Sequence, residues 1–306
     1  MTARFFQPLS CNVKVLNSGE KKDIKGRTSW QPLIAVIFVT AGLILIVFFS
    51  IHYSGKFHNT VSYPASKVSP LFDTILISTG IVFLVTQLLL FLLLYFNSSA
   101  ATPRARFIHG SMKLEIVWTV LPLAFFVFLF IWSEDIWSDT VGKPSEDVLV
   151  VEVMGQQFSW RVRYAGADGQ LGKASVRYID EDNGSGIDQT DPNSTDDFIA
   201  LQMHVPKNRP VEVLLRSRDV IHSFYIPFLG VKMDAVPGMS TAVQFRALRT
   251  TREMRKALGD PDFDYEIACA ELCGRMHFAM KFILIVEEEE EFDKWYESRG
   301  SLATLF

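Results

Sequence analysis

The chain changes rhythm near its middle. Its first half holds three long apolar runs, LIAVIFVTAGLILIVFFSI at 33–51, TILISTGIVFLVTQLLLFLLLYF at 74–96 and IVWTVLPLAFFVFLFIW at 116–132, of 19, 23 and 17 residues with no charged side chain. A hydrocarbon core about 30 Å thick takes about 17 to 25 helical residues, so each run predicts a membrane-spanning helix. Pro122 interrupts the third, which a membrane helix tolerates because neighbouring groups re-satisfy the freed carbonyl. The competing explanation, three helices buried in a large soluble core, fits the Pro-interrupted third run better than the other two.

From about residue 140 the apolar positions fall instead into short runs: VLVVEV at 148–153, FIALQMHV at 198–205, VEVLLRS at 211–217, TAVQFRA at 241–247, YEIACA at 265–270 and MKFILIVE at 280–287. Turn-forming segments such as AGADGQ, PKNRP and VPGMS separate them. Many short strands with partial alternation predict a β-sandwich or Greek-key barrel. A closing stretch, EEEEEFDKWYESR, places Phe292, Trp295 and Tyr296 at i, i+3 and i+4, the stripe of an amphipathic helix docked on that domain. The fold class expected is an α + β membrane protein, a two-helix hairpin plus one extra N-terminal helix followed by an extracytoplasmic Greek-key β-barrel, which the motif at 269–280 makes cupredoxin-like. Its segments are a cytoplasmic N-terminus at 1–32, an extra helix at 33–53, a hairpin of 71–96 and 115–133, a barrel over 140–290 with an acidic insertion at 165–198, and a C-terminal helix and tail at 288–306.

Charge supplies the orientation. Arg4, Lys14, Lys21, Lys22, Lys25 and Arg27 precede the first run, only Lys56 and Lys67 follow it, and Arg104, Arg106 and Lys113 lie before the third. The positive-inside rule puts the N-terminus and the second loop in the cytoplasm and everything after Trp132 outside. A signal sequence is the other reading of the first run, but the polar segment before it is long and no small-residue cleavage site follows. Cys11 has no apolar run before it and reads as a plain cytoplasmic thiol. No nucleic-acid partner is expected. Residues 180–197, DEDNGSGIDQTDPNSTDD, carry seven acids and no base. They read as a solvated loop, a docking surface for a basic protein, or, with poor glycine spacing, a calcium loop.

The chemistry concentrates in CAELCGRMHFAM, residues 269–280. Outside the cytoplasm, Cys269 and Cys273 alone suggest a disulfide. His277 and Met280 change the balance, because structural zinc has little use for a thioether, whereas thiolate, imidazole and a weak methionine suit copper. A mononuclear blue site uses one cysteine and two histidines, so a second thiolate is in excess and suggests two coppers bridged by two sulfurs. His222, in DVIHSFYIP, is the candidate second imidazole, although a lone histidine between apolar neighbours is more often simply packed.

CAELCGRMHFAM together with DVIHSFYIPFLGVKMDAVPG closely resembles the dinuclear copper (CuA) centre of the cytochrome c oxidase subunit II family. KLEIVWTVLPL at 113–123 resembles that family's second membrane helix and GQQFSWRVRY at 155–164 its aromatic segment. The resemblance covers most of residues 70–290, and the first 60 residues fall outside it.

The resemblance implies that Cys269 and Cys273 bridge both coppers, that His222 and Met280 complete one and that His277 and the Glu271 carbonyl complete the other. The Glu271 side chain would face subunit I and bind a magnesium ion, and Glu115 would stand at the mouth of a proton-uptake channel. The implied partners are subunits I and III and a c-type cytochrome, in a bacterial cytoplasmic membrane with the copper domain on the periplasmic side. The implied function is electron transfer in a proton-pumping oxidase, from the cytochrome through CuA to haem in subunit I for reduction of oxygen to water. Phe158 stands where the family has a tryptophan at which electrons arrive, with Trp160 two residues on, so the donor or its docking differs from the familiar one. No C-x-x-C-H occurs, so the donor haem is on another protein. Two other readings are a membrane-anchored copper carrier and a metal-free structural subunit of a quinol oxidase. Nitrous-oxide reductases share the copper motif but need a further large domain.

Overall fold

The computed structural model describes residues 30–53, 60–97, 110–142 and 147–299. The basic N-terminal segment with Cys11, the loop carrying Arg104 and Arg106, and the tail beyond residue 299 lie outside the described residues.

The three apolar runs form α1 (Gln31–Tyr53), α2 (Ala65–Asn97) and α3 (Met112–Val141). By length and hydropathy, Ala65–Leu93 and Met112–Val141 can cross a membrane, and neither is buried within the chain. At about 1.5 Å per residue, α3 is roughly 45 Å long, more than a hydrocarbon core about 30 Å thick. Its surplus emerges as the polar last turns that carry Asp135, Ser138 and Asp139. There Lys67 of α2 pairs with Asp139 at 2.7 Å and Asp135 at 3.0 Å.

The remainder is a two-sheet sandwich. Its strands are β1 (Ser62–Tyr63), β2 (Leu149–Gln156), β3 (Ser159–Tyr164), β4 (Phe198–Ala200), β5 (Met203–Pro206), β6 (Val211–Ser217), β7 (His222–Ile226), β8 (Val231–Ala235), β9 (Thr241–Ala247), β10 (Tyr265–Cys269) and β11 (Lys281–Glu287). One sheet has the order β1-β9-β6-β2-β3-β4 and the other β5-β11-β10-β7-β8. Strand β6 pairs in parallel with β2, and β5 with β11; the other pairings are antiparallel. Alternation places Val211, Val213 and Leu215 of β6, Val243, Phe245 and Ala247 of β9, and Tyr265 and Ile267 of β10 in the core between the sheets.

Two elements depart from the sequence reading. The single strand expected at 198–205 is broken, because its first part pairs with β3 and its second with β11 of the other sheet. Leu201, at the crossing, is 92% exposed. The helix α4 (Thr251–Leu258) was not anticipated, although Thr250 and Glu253 form a reciprocal capping box at its start. Helix α5 (Glu289–Glu297) buries Phe292 and packs Trp295 and Tyr296 on the core.

The acidic insertion is folded onto the six-stranded sheet rather than left free. Arg163 of β3, 3% exposed, bonds Glu152 of β2 and reaches Asp197 at 2.6 Å. Asp180 and Asp188 accept backbone N–H groups of their own turns, and Asp191 caps a short helical turn.

Candidate metal centre

Strand period places every second residue of β10 inward, and Cys269 is the last inward position of that strand. Its N–H donates to the Met280 carbonyl at 3.1 Å, and the next N–H, of Ala270, donates to the Ser223 carbonyl at 2.9 Å. His222 opens β7 opposite Ala235, and β7 pairs with β10 through Phe224 and Cys269. Three strands thus converge at one end of the sheet, and the 270–280 loop folds back over them. Within the loop, His277 donates its N–H to the Gly274 carbonyl and Met280 to that of His277, a short helical turn that brings Met280 back to the core.

The side chains meet in one cluster. The sulfurs of Cys269 and Cys273 lie 3.8 Å apart, too far for a disulfide of about 2.05 Å. Both cysteines are free. His222 Nδ1 is 3.8 Å from the Cys269 sulfur, His277 Nδ1 3.7 Å from the Cys273 sulfur, and Met280 Sδ 3.8 Å from the Cys273 sulfur. The Glu271 carbonyl lies 3.2 Å from the Cys269 sulfur, while its side chain is exposed. Among the described residues, His222, Cys269 and Cys273 form a group whose ligand atoms all lie within 4.8 Å of one another. With metal–thiolate bonds of about 2.3 Å, the observed sulfur separation corresponds to a sulfur–metal–sulfur angle of about 110°, so the two thiolates fit a common metal without rearrangement.

Burial sets the protonation of Cys273. His222 and Met280 are fully buried and both cysteines nearly so. Burial first, then the neighbouring Cys269, pushes the Cys273 thiol up to about 11. The metal-free thiol therefore keeps its proton at neutral pH, and metal binding must expel it. Copper affinity is expected to fall by about tenfold per pH unit for each thiol proton displaced as the solution is acidified. A competition titration with a chelator of known pH behaviour reads this slope, and a flat profile would contradict it.

Asp219 is the residue that motif reading missed. Its carboxylate lies 2.8 Å from His222 Nε2 and accepts the N–H groups of Gln157 and Val220, each at 2.7 Å. Burial opposes ionisation, but these hydrogen bonds outweigh it and hold the carboxyl below its ordinary range. An ionised acceptor at Nε2 fixes the proton there and leaves the Nδ1 lone pair facing the sulfurs. The available signal was an acid three residues before the histidine in DVIHSF. Asp219→Asn is expected to weaken copper binding by about 10- to 100-fold while the sandwich stays folded. Unchanged affinity in the same titration would remove Asp219 from the centre.

The turn between β2 and β3 rests on the metal-binding loop. Gln157 donates from its side chain to the Cys273 carbonyl at 2.7 Å. Phe158 packs its ring on Gly274, where a β carbon would come within 3.0 Å of ring atoms and φ is +135°. Trp160 lies underneath, 4% exposed, with its ring centroid 5.9 Å from that of His222. Of the two aromatics named from sequence, Phe158 therefore retains surface and Trp160 is interior. Glu115 sits in the first turn of α3, at the far end of the span from the sandwich.

A sandwich carrying a buried cysteine pair, two imidazoles and a thioether, anchored by apolar helices, defines a membrane protein of cupredoxin-like fold with a side-chain group able to hold a metal. Residues 149–287 match the family profile "Cytochrome C oxidase subunit II, periplasmic domain", and residues 50–136 match "Cytochrome C oxidase subunit II, transmembrane domain". An "Alternative cytochrome c oxidase subunit 2" of Bradyrhizobium diazoefficiens is 40% identical over 172 residues, 56% of this chain and 57% of that protein. The chain thus spans little more than half the length of that relative. A "Probable cytochrome c oxidase subunit 2" of Rickettsia bellii is 33% identical over 238 residues, 74% of this chain and 77% of that protein. The solved periplasmic domain of subunit II of cytochrome oxidase (CoxB) of Bradyrhizobium japonicum is 26% identical, with a TM-score of 0.34, over 51% of this chain and 94% of that one. The chain belongs to the cytochrome c oxidase subunit II family, and it is a membrane protein with a periplasmic domain. Helix α1 begins before the matched transmembrane region and lies largely outside it.

Proposed function

We propose that this chain is the electron-transfer subunit of a proton-pumping cytochrome c oxidase, receiving electrons from a c-type cytochrome and passing them to haem in subunit I, where oxygen is reduced to water. The observation that carries this reading is the pair of thiols 3.8 Å apart, flanked by the imidazoles of His222 and His277 and the thioether of Met280. Cys269, Cys273, His222, His277, Met280 and the Glu271 carbonyl would hold a dinuclear copper centre, the two thiols as shared ligands once deprotonated. Copper held there would supply one-electron transfer chemistry, with the charge spread over the centre so that little has to rearrange.

The protein's own part is placement. Rigid strands fix Cys269 and His222, Asp219 holds the His222 tautomer, and Gln157 ties the aromatic turn to the Cys273 carbonyl. Phe158, half-buried on the loop at Gly274, is a contact beside the cluster for an incoming donor, with a phenyl ring where the family has an indole. It cannot donate a hydrogen bond, which favours a donor surface different from the usual one. Glu271 extends its carboxylate to solvent at the loop, where it would bind magnesium against subunit I. Glu115 is assigned to the start of the proton path at the cytoplasmic end of α3. Subunit III completes the complex, with the N-terminus of this chain in the cytoplasm.

The test is purification of the native complex through a tag on this chain, followed by oxygen consumption with reduced c-type cytochrome and then with quinol. Co-purifying haem with cytochrome-dependent turnover is the expected result. Copper without haem would favour the membrane-anchored carrier, and quinol-dependent turnover without copper the metal-free structural subunit. In the same assay Phe158→Ala is expected to slow cytochrome oxidation while leaving the copper spectrum unchanged; equal turnover would place the donor contact elsewhere.

A further inference from the structure

Where the membrane anchor meets the sandwich there is a cleft of about 250 Å³ lined by Tyr63, Pro64, Ser138, Asp139, Pro210, Gln244, Phe245 and Arg246. Its walls come from β1, the last turn of α3 and β9, so it opens at the periplasmic ends of the spanning helices. Tyr63 and the exposed Trp137, next to Ser138, mark this level as the interfacial belt, where tyrosine and tryptophan collect.

The charges in the cleft are unevenly satisfied. Asp139 accepts from the Tyr63 hydroxyl at 2.7 Å and from Lys67 at 2.7 Å, so it is already paired. Lys67 also bonds Asp135. Gln244 donates to the Gly142 carbonyl. Arg246 is different: its guanidinium stands over the Tyr63 ring, 5.2 Å from the centroid, and its Nε is buried without a hydrogen-bond partner among the described residues. A buried guanidinium N–H left unpaired is costly, and in native proteins such a group usually has a partner. The fork of an arginine matches the paired oxygens of a phosphate, whereas the Ser138 hydroxyl in the same wall already donates to the Asp135 carbonyl at 3.1 Å. The cleft is smaller than the roughly 300–1,000 Å³ typical of pockets that enclose a whole ligand. It suits a headgroup whose chains lie outside, along the exposed apolar flanks of α2 and α3.

We propose that Arg246, held over the Tyr63 ring in this cleft, binds the phosphodiester headgroup of a membrane phospholipid at the junction of α3 and β9. The bound lipid would supply the missing acceptor for Arg246 and fasten the sandwich at a fixed height above the membrane. This site is separate from the metal centre and does not depend on its assignment.

The experiment uses the full chain in detergent. Phospholipid retained after detergent washing is counted by native mass spectrometry, and binding of a short-chain phosphatidylglycerol is titrated, with inorganic phosphate as the competing probe. Wild type is expected to retain one more phospholipid than Arg246→Gln, whose affinity for the short-chain lipid should be about tenfold weaker, the loss of one charge-assisted contact. Ser138→Leu, which fills the cleft and leaves Arg246 in place, should lose the same lipid; it decides the question if Arg246→Gln fails to fold. Equal retention and affinity in wild type and a folded variant would overturn the site. Displacement of the lipid by inorganic phosphate at comparable concentration would overturn the lipid assignment in favour of a free-phosphate site.

Discussion

Cys273→Ser is expected to abolish the proposed dinuclear copper centre and, with it, cytochrome-driven oxygen consumption. A serine hydroxyl stays protonated where a thiol can ionise, so the change removes a soft anionic ligand that the proposed centre would share between its metals. The sulfur it replaces is 3.8 Å from the Cys269 sulfur, 3.7 Å from His277 Nδ1 and 3.8 Å from Met280 Sδ, so three contacts lose their common partner. Copper affinity should drop by a factor on the order of 10³, equivalent to about 4 kcal/mol. The remaining Cys269 and His222 can still hold a single copper, so the spectrum of a mononuclear site is the expected residue. The sandwich itself should survive, because Cys273 lies on a loop and the strands of its sheet do not pass through it. Elemental analysis with electron paramagnetic resonance reads the outcome, and a variant that keeps both coppers would remove Cys273 from the centre.

Arg163→Met is expected to have the largest effect on stability away from the metal. Arg163 is 3% exposed and the Asp197 carboxylate fully buried, and Glu152 faces both Arg163 and Arg216. Removing one partner from a buried ionic network leaves a charge without compensation and costs about 3–5 kcal/mol. For a domain of this size each kcal/mol lowers the unfolding midpoint by about 2–4 °C, so a fall of roughly 10 °C is expected. The loss should also depend on pH. Burial pushes the Asp197 carboxyl up to about 6, against the opposing pull of Arg163. A carboxyl whose folded pKa is raised contributes stability below its unfolded value of about 4 that disappears as pH rises through about 6. Without Arg163 that ionisation is harder still. The variant should therefore come closest to wild type near pH 4–5 and fall furthest behind above about pH 7. Thermal unfolding across that range measures it; a deficit largest in acid would mean that Asp197 is not the group responsible.

How far the sequence led depended on whether a feature was local. The spans of α2 and α3 were legible because charge-free length is a local property, and β6 and β9 because their alternation matches the burial seen in the sandwich. The soft ligands of the 269–280 loop were legible because all of them lie within one turn and one strand end. Strand β7 was hidden because HSFYI has almost no alternation, being buried at four of five positions. The break between β4 and β5 was hidden because switching sheets leaves no local mark beyond one exposed leucine. Asp219 needed the fold to bring the 155–158 turn and His222 to the same carboxylate. The acidic run was read by its net charge, whereas the structure spends Asp197 internally, on an arginine 34 residues earlier.

The most direct test of the central claim is copper stoichiometry with electron paramagnetic resonance on the full chain, reconstituted with copper in detergent. The account predicts two coppers per chain and a hyperfine pattern from one electron shared equally between two copper nuclei. One copper with a mononuclear pattern, or no copper and a Cys269–Cys273 disulfide, would contradict it.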